Sequence, residues 1–175
     1  MKFVHIADLH LDTPLISLKN NRELIKNRRN EHKQIFKDVI KFVKNEKVDV
    51  LFISGDLFEH KFVEKSTIEF IISSLELIPD TKVFITPGNH DPFITNSPYT
   101  TFEWPSNVKI FGEEIEKVAL AEKIDVYGMG FENFEIAENN FKNFKVEDKE
   151  KINFLITHGT LNGASGKYND INSKY

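Results

Sequence analysis

Four short apolar runs in this sequence each end in side chains able to hold a metal ion. Val83-Phe84-Ile85 leads into Pro87-Gly88-Asn89-His90-Asp91, which sets an amide oxygen, an imidazole and a carboxylate side by side. The run 3–7 ends in Asp8-Leu9-His10, the run 48–53 in Ser54-Gly55-Asp56, and the run 152–157 in His158-Gly159. Asp, Asn and neutral His are hard-to-borderline oxygen and nitrogen donors. With no cysteine in the chain there is no thiolate to add, so the set suits manganese, iron or zinc. Taken singly, each stretch has an ordinary explanation: a turn aspartate at Asp56, a strand-end cap at Asp8, a satisfied core histidine at His158. Four recurrences of one pattern do not.

The runs are short and apolar, and 83–85 and 48–53 read as strands of a parallel sheet buried on both faces. Between them lie helical patterns. Residues 21–44 form a long amphipathic one, with Leu24, Ile25, Ile35, Phe36, Val39, Ile40, Phe42 and Val43 as its apolar set. Ser66-Thr67-Ile68-Glu69 has the form of a capping box, followed by Ile68, Ile71, Ile72, Leu75 and Ile78 at helical spacing up to Pro79. The order β-α-β-α-β implies right-handed crossovers and a parallel sheet, with ligands beyond the carboxyl ends of its strands. If the chain stays extended past the first strand, Asp8 and His10 point the same way and can grip one ion. Asp56 on the neighbouring strand is then placed to bridge two.

Later signals are weaker. Trp104 is expected to pin an irregular loop, and 108–111, 118–120 and 124–129 to begin a second sheet. Gly128 and Gly130 suggest close backbone approach. Residues 133–143 form a weak helical pattern, 147–151 a charged loop, and 159–175 no regular element.

The chain has 175 residues, 40% of them hydrophobic and 29% charged, which fits one globular domain. His5 and Asp8 interrupt an apolar N-terminal stretch too short for a signal peptide, and no run reaches the length of a membrane span. Together with the lack of cysteine this favours a cytoplasmic protein. A net charge of −4 argues against general affinity for nucleic acid, yet residues 19–47 carry ten Lys/Arg against four Asp/Glu. Arg22, Lys26, Arg29, Lys33, Lys37, Lys41 and Lys44 recur as one basic stripe, a solvated helix face or a track for a phosphate backbone.

Asp-x-His, Gly-Asp, Gly-Asn-His-Asp and a later His, in that order, resemble the motifs of the calcineurin-like metallophosphoesterases. The resemblance implies an α/β fold, a layered α-β-β-α metallophosphoesterase sandwich, and two divalent metal ions, with manganese first and iron or zinc as alternatives. One ion would take Asp8, His10 and Asp56, the other Asp56, Asn89 and His158. His90 would stabilise developing charge or protonate the leaving oxygen, and Asp91 would orient a motif histidine. The family's closing Gly-His-x-His is absent and no histidine follows His158, so the chain is expected to be the N-terminal part of a longer protein, incomplete at its C-terminus and weakly active by itself. The residues flanking Asp8, Asp56 and Asn89 are similar to SbcD-type DNA repair exonucleases. That branch implies DNA as substrate and an SbcC-type ATPase partner, and is compatible with a homodimer. Lys26, Arg29, Lys33 and His60 are then candidate substrate contacts, although Glu59 stands where some related nucleases carry a histidine. Two other readings stay open: a phosphodiesterase or phosphatase for nucleotides and small esters, and a binding module without catalysis.

Overall fold

The structure is a computed structural model that describes residues 1–18, 20–134, 141, 144–161 and 170–171. Four strands, β1 (Phe3–Ile6), β2 (Val50–Ser54), β3 (Lys82–Thr86) and β4 (Val108–Ile110), form one parallel sheet in the order β1-β2-β3-β4. Strand β2 is buried along its whole length because both of its faces are covered. Leu51 and Ile53 join Val83 and Ile85 against the helices, while Val50 and Phe52 join Phe84 on the opposite face.

Helix α1 (Arg22–Asn45) starts at Asn21, whose side chain accepts the Leu24 N–H, one of the donors a helix start leaves without a partner. It buries Phe36, Ile40 and Val43. Ile35 and Phe42, also apolar, are exposed, because the two lie off the narrow stripe that meets the sheet. Helix α2 (Lys65–Glu76) begins earlier than its sequence suggests. Its cap is Glu64 without a side-chain hydrogen bond, and Ser66 already lies inside the first turn, so the capping box does not form. Tertiary burial of Ile68, Ile71 and Leu75 fixes this helix instead.

After the short helix α3 (Pro98–Thr101), Trp104 donates Nε1–H to the Pro98 carbonyl at 3.2 Å and lies 5.5 Å from the Tyr99 ring, pinning the loop as expected. Strand β4 then joins the first sheet beside β3, not the second one; three apolar residues do not say which edge they will pair with. The second sheet has the order β5-β6-β7, from β5 (Glu116–Ala121), β6 (Ile124–Gly128) and β7 (Ile152–Ile156). Strands β5 and β6 are an antiparallel hairpin and β7 runs parallel to β6. Phe52, Phe84, Phe111, Val126 and Ile156 fill the space between the sheets. A Cβ on Gly128 would lie 2.3 Å from the Phe111 ring, and one on Gly130 would lie 2.5 Å from Pro87, so both glycines mark close approaches.

The described layers are thus helices, parallel sheet and second sheet. The weak helical pattern at 133–143 lies mostly outside the described residues. Beyond β7 the segment read as irregular contains two two-residue strands, β8 (Thr160–Leu161) and β9 (Asp170–Ile171), paired in parallel. Among the described residues no helix is long and apolar enough to cross a membrane.

Candidate metal centre

The loops leaving β1, β2, β3 and β7 meet at one end of the sandwich, where Asp8, His10, Asp56, Asn89, His90 and His158 line a single cavity of about 480 Å³. The loop after β1 is not extended. Asp8, His10 and Asp12 all have left-handed backbone, with φ of 56°, 45° and 63°. Asp and His tolerate this region better than most residues, so their types suit the geometry as well as the chemistry. The turn-rich path is held by the neighbouring loop. Asp8, His10 and Leu11 donate their N–H groups to the carbonyls of Gly55, Asp56 and Leu57 at 2.9–3.1 Å.

Asp56 lies at the middle. His158 Nε2 is 3.3 Å and His10 Nε2 3.7 Å from its Oδ2, and Asp8 Oδ1 is 3.9 Å from His10 Nε2. Ligand atoms of Asp8, Asp56 and His158, and separately of His10, Asp56 and His90, fall within 4.8 Å of one another. His10 therefore stands between Asp8 and His90, close to both. Asn89 opens on the same cavity.

These donors fit a cation. His158 Nδ1 bonds the Ser54 carbonyl at 3.0 Å, which places its hydrogen there and turns Nε2 toward an anionic oxygen. His10 Nδ1 bonds Glu59 Oε1 at 2.9 Å, with the same consequence for its Nε2. Lone pairs facing a carboxylate need positive charge between them. At His158 a proton supplies it in the metal-free protein. Burial works to lower the His158 pKa, but the hydrogen bond and charge of Asp56 prevail and push it up to about 9. Burial likewise works to raise Asp56, and His158 together with the His90 N–H holds it below its ordinary 3.8.

Asp91 departs from its expected role. It is fully buried and does not touch a histidine. Its Oδ1 accepts N–H groups from Asp56 and Gly88, at 2.9 and 2.6 Å; its Oδ2 accepts the Leu57 N–H and the Tyr99 hydroxyl, at 2.8 and 2.6 Å. It holds the backbone that presents Asp56. Burial raises its pKa to about 6 despite these donors. The partner of His90 is Glu59, whose Oε2 lies 2.9 Å from His90 Nδ1. In the sequence Glu59 stands out only as a departure from a motif; its contact with both histidines depends on two distant loops meeting.

The substrate candidates fall elsewhere. Lys33 Nζ is 3.8 Å from Asp12, and Arg29 is 3.7 Å from Glu64 and 3.5 Å from the Asp12 carbonyl. This part of the basic stripe is thus turned onto the chain's own acids, with Lys26 lining the same depression. His60 lies outside the residues that line the metal cavity; burial, then the charge of Lys61, lowers its pKa.

A model of the calcineurin-like phosphoesterase family matches residues 1–174. The uncharacterized metallophosphoesterase YhaO of Bacillus subtilis is 28% identical over 174 residues, which cover 95% of this chain and 42% of that protein. The SbcD component of the SbcCD nuclease of Staphylococcus epidermidis is 25% identical over 195 residues, covering 97% of this chain and 49% of that one. The DNA double-strand break repair protein Mre11 of Methanopyrus kandleri is 31% identical over 93 residues, 52% of this chain and 19% of its own. The chain spans less than half the length of each of these relatives.

Proposed function

The chain belongs to the calcineurin-like phosphoesterase family, and from that membership we propose that it is a phosphodiesterase using two divalent ions, manganese foremost, to hydrolyse DNA from its ends. The observation that carries this reading is the convergence of Asp8, His10 and His158 on the buried carboxylate of Asp56. Asp8, His10 and Asp56 would hold one ion, and Asp56, Asn89 and His158 the other. Ions bound there supply positive charge that polarises a phosphoryl group and lowers the pKa of water.

The chain's own residues do the rest. Asp56 balances the cations with a carboxylate whose position is fixed by the His90 N–H on Oδ1. His90, with Nδ1 on Glu59, lines the cavity, and as an imidazolium carrying hydrogen on both nitrogens it can pass the Nε2 proton to the departing oxygen. Phe131 packs its ring 5.7 Å from that of His158 and closes one wall against water.

DNA is favoured by two relatives named for nuclease and break-repair roles. An ATPase of the SbcC type is the partner this reading calls for. Incubating the full-length protein with end-labelled duplex and manganese tests it: ends are shortened, His90→Ala removes the activity without unfolding the protein, and chelation stops it. Digestion that survives chelation overturns the reading. A second reading, hydrolysis of small phosphoesters, is favoured by the net charge of −4 and a cavity of about 480 Å³. Turnover of a small diester with no action on DNA would select it.

A further inference from the structure

Beside Asp56, a second carboxylate near the centre, Glu59, faces two histidines, and among the described residues no lysine or arginine pairs with it. Its side chain is only 13% exposed, with Oε1 2.9 Å from His10 Nδ1 and Oε2 2.9 Å from His90 Nδ1. The two rings stand nearly perpendicular, 85° apart with centroids 4.8 Å from each other. The backbone around Glu59 is tied to both histidine loops. Its N–H donates to the Leu11 carbonyl at 3.0 Å, and the next N–H, of His60, donates to the His90 carbonyl at 2.9 Å. The segment after β2 is therefore stitched on one side to the loop carrying His10 and on the other to the loop carrying His90, and the carboxylate spans the gap.

We propose that Glu59 is a positioning residue that fixes His10 and His90 together by taking both Nδ1 hydrogens, which turns the His10 Nε2 toward Asp56, 3.7 Å away, and holds the His90 ring against the cavity. This rests on the phosphoesterase reading for its purpose and on the geometry alone for its existence. A carboxylate suits the task because both of its oxygens only accept. An amide does not. In Glu59→Gln one oxygen can still accept an N–H, but the NH₂ group would meet the other ring's N–H. That ring must move its hydrogen to Nε2; on His10 the hydrogen then points at Asp56 and blocks ligation. Aspartate fails differently, since loss of one methylene, about 1.5 Å of reach, lets it touch one ring only.

The experiment is nitrogen-15 NMR of the histidine rings in metal-free protein, with Glu59→Gln beside wild type at about pH 9, where ordinary imidazoles are neutral. In wild type, His10 and His90 should both carry hydrogen on Nδ1. In Glu59→Gln one of them should switch to Nε2, while the amide spectrum of β2 and β3 stays unchanged. Manganese affinity by calorimetry should fall about 10–100-fold in Glu59→Gln, with Glu59→Asp between it and wild type. Retention of Nδ1 hydrogens on both rings in Glu59→Gln overturns the proposal, and so does manganese affinity within twofold of wild type. If the rings switch as stated but wild type binds no metal, Glu59 keeps its positioning role and the phosphoesterase reading is what fails.

Discussion

Asp56 and Asp91 are both buried, and they face opposite ways. Asp91 spends its oxygens on four donors, three of them backbone N–H groups. Asp91→Asn would put an NH₂ against donors, leaving buried hydrogen-bonding groups unsatisfied. Urea unfolding should show a loss of about 2–4 kcal/mol. Asp56 faces His10 and His158 instead, and this gives the centre a pH dependence. The His158 pKa rises from 6.5 to about 9 in the metal-free protein, so the charge pair with Asp56 is fully present below pH 6.5 and is lost as pH rises through about 9. A metal ion must displace that proton. Its apparent affinity at this site should therefore fall about tenfold for each pH unit below 9, with one proton released per ion, measured by calorimetry in buffers of different ionisation enthalpy. At this scale the sequence exposes the ligands themselves, because each follows an apolar run directly. It hides Glu59 and the hold of Asp91 on the Asp56 and Leu57 N–H groups, which are contacts between loops 31 and more residues apart.

The centre is built from strand ends, and their backbones are unusual. Asp8, His10 and Asp56 have positive φ, as does Gly55 at 80°. A Cβ on Gly55 would also lie 2.4 Å from the His158 ring. Gly55→Ala should cost about 1–2 kcal/mol from backbone strain and displace His158. Manganese affinity should drop more than tenfold while the unfolding transition remains cooperative; unchanged affinity would show that the ring accommodates the methyl. Apolar periodicity makes the strands and helices readable, but it says nothing about φ. That is why an extended Asp8-x-His10 is the natural expectation and left-handed turns the outcome. Local signals mislead in the same way at α2, where Ser66 looks like a cap and burial of Ile68 and Ile71 draws the helix start back to Lys65.

The molecule as a whole keeps two cores, one between helices and parallel sheet and one between the sheets. The second is aromatic, with Phe84 stacked between Phe52 and Phe111 at 5.9 Å from each. Gly128→Ala drives a methyl into Phe111, and should destabilise the domain by about 1–3 kcal/mol in thermal or urea unfolding. Three strands of the parallel sheet are legible from similar runs at loop-helix spacing, while the fourth run, 152–157, forms β7 of the second sheet. Membership of β4 is not legible, since a three-residue strand carries too little pattern to choose an edge. What both cores position is a single carboxylate shared by ligands from separate strands. Electron paramagnetic resonance during manganese titration tests this most directly. The account predicts the signature of two spin-coupled ions, about 3.5–4 Å apart, that disappears in Asp56→Asn. Signals from isolated ions only, unaffected by that substitution, would contradict it.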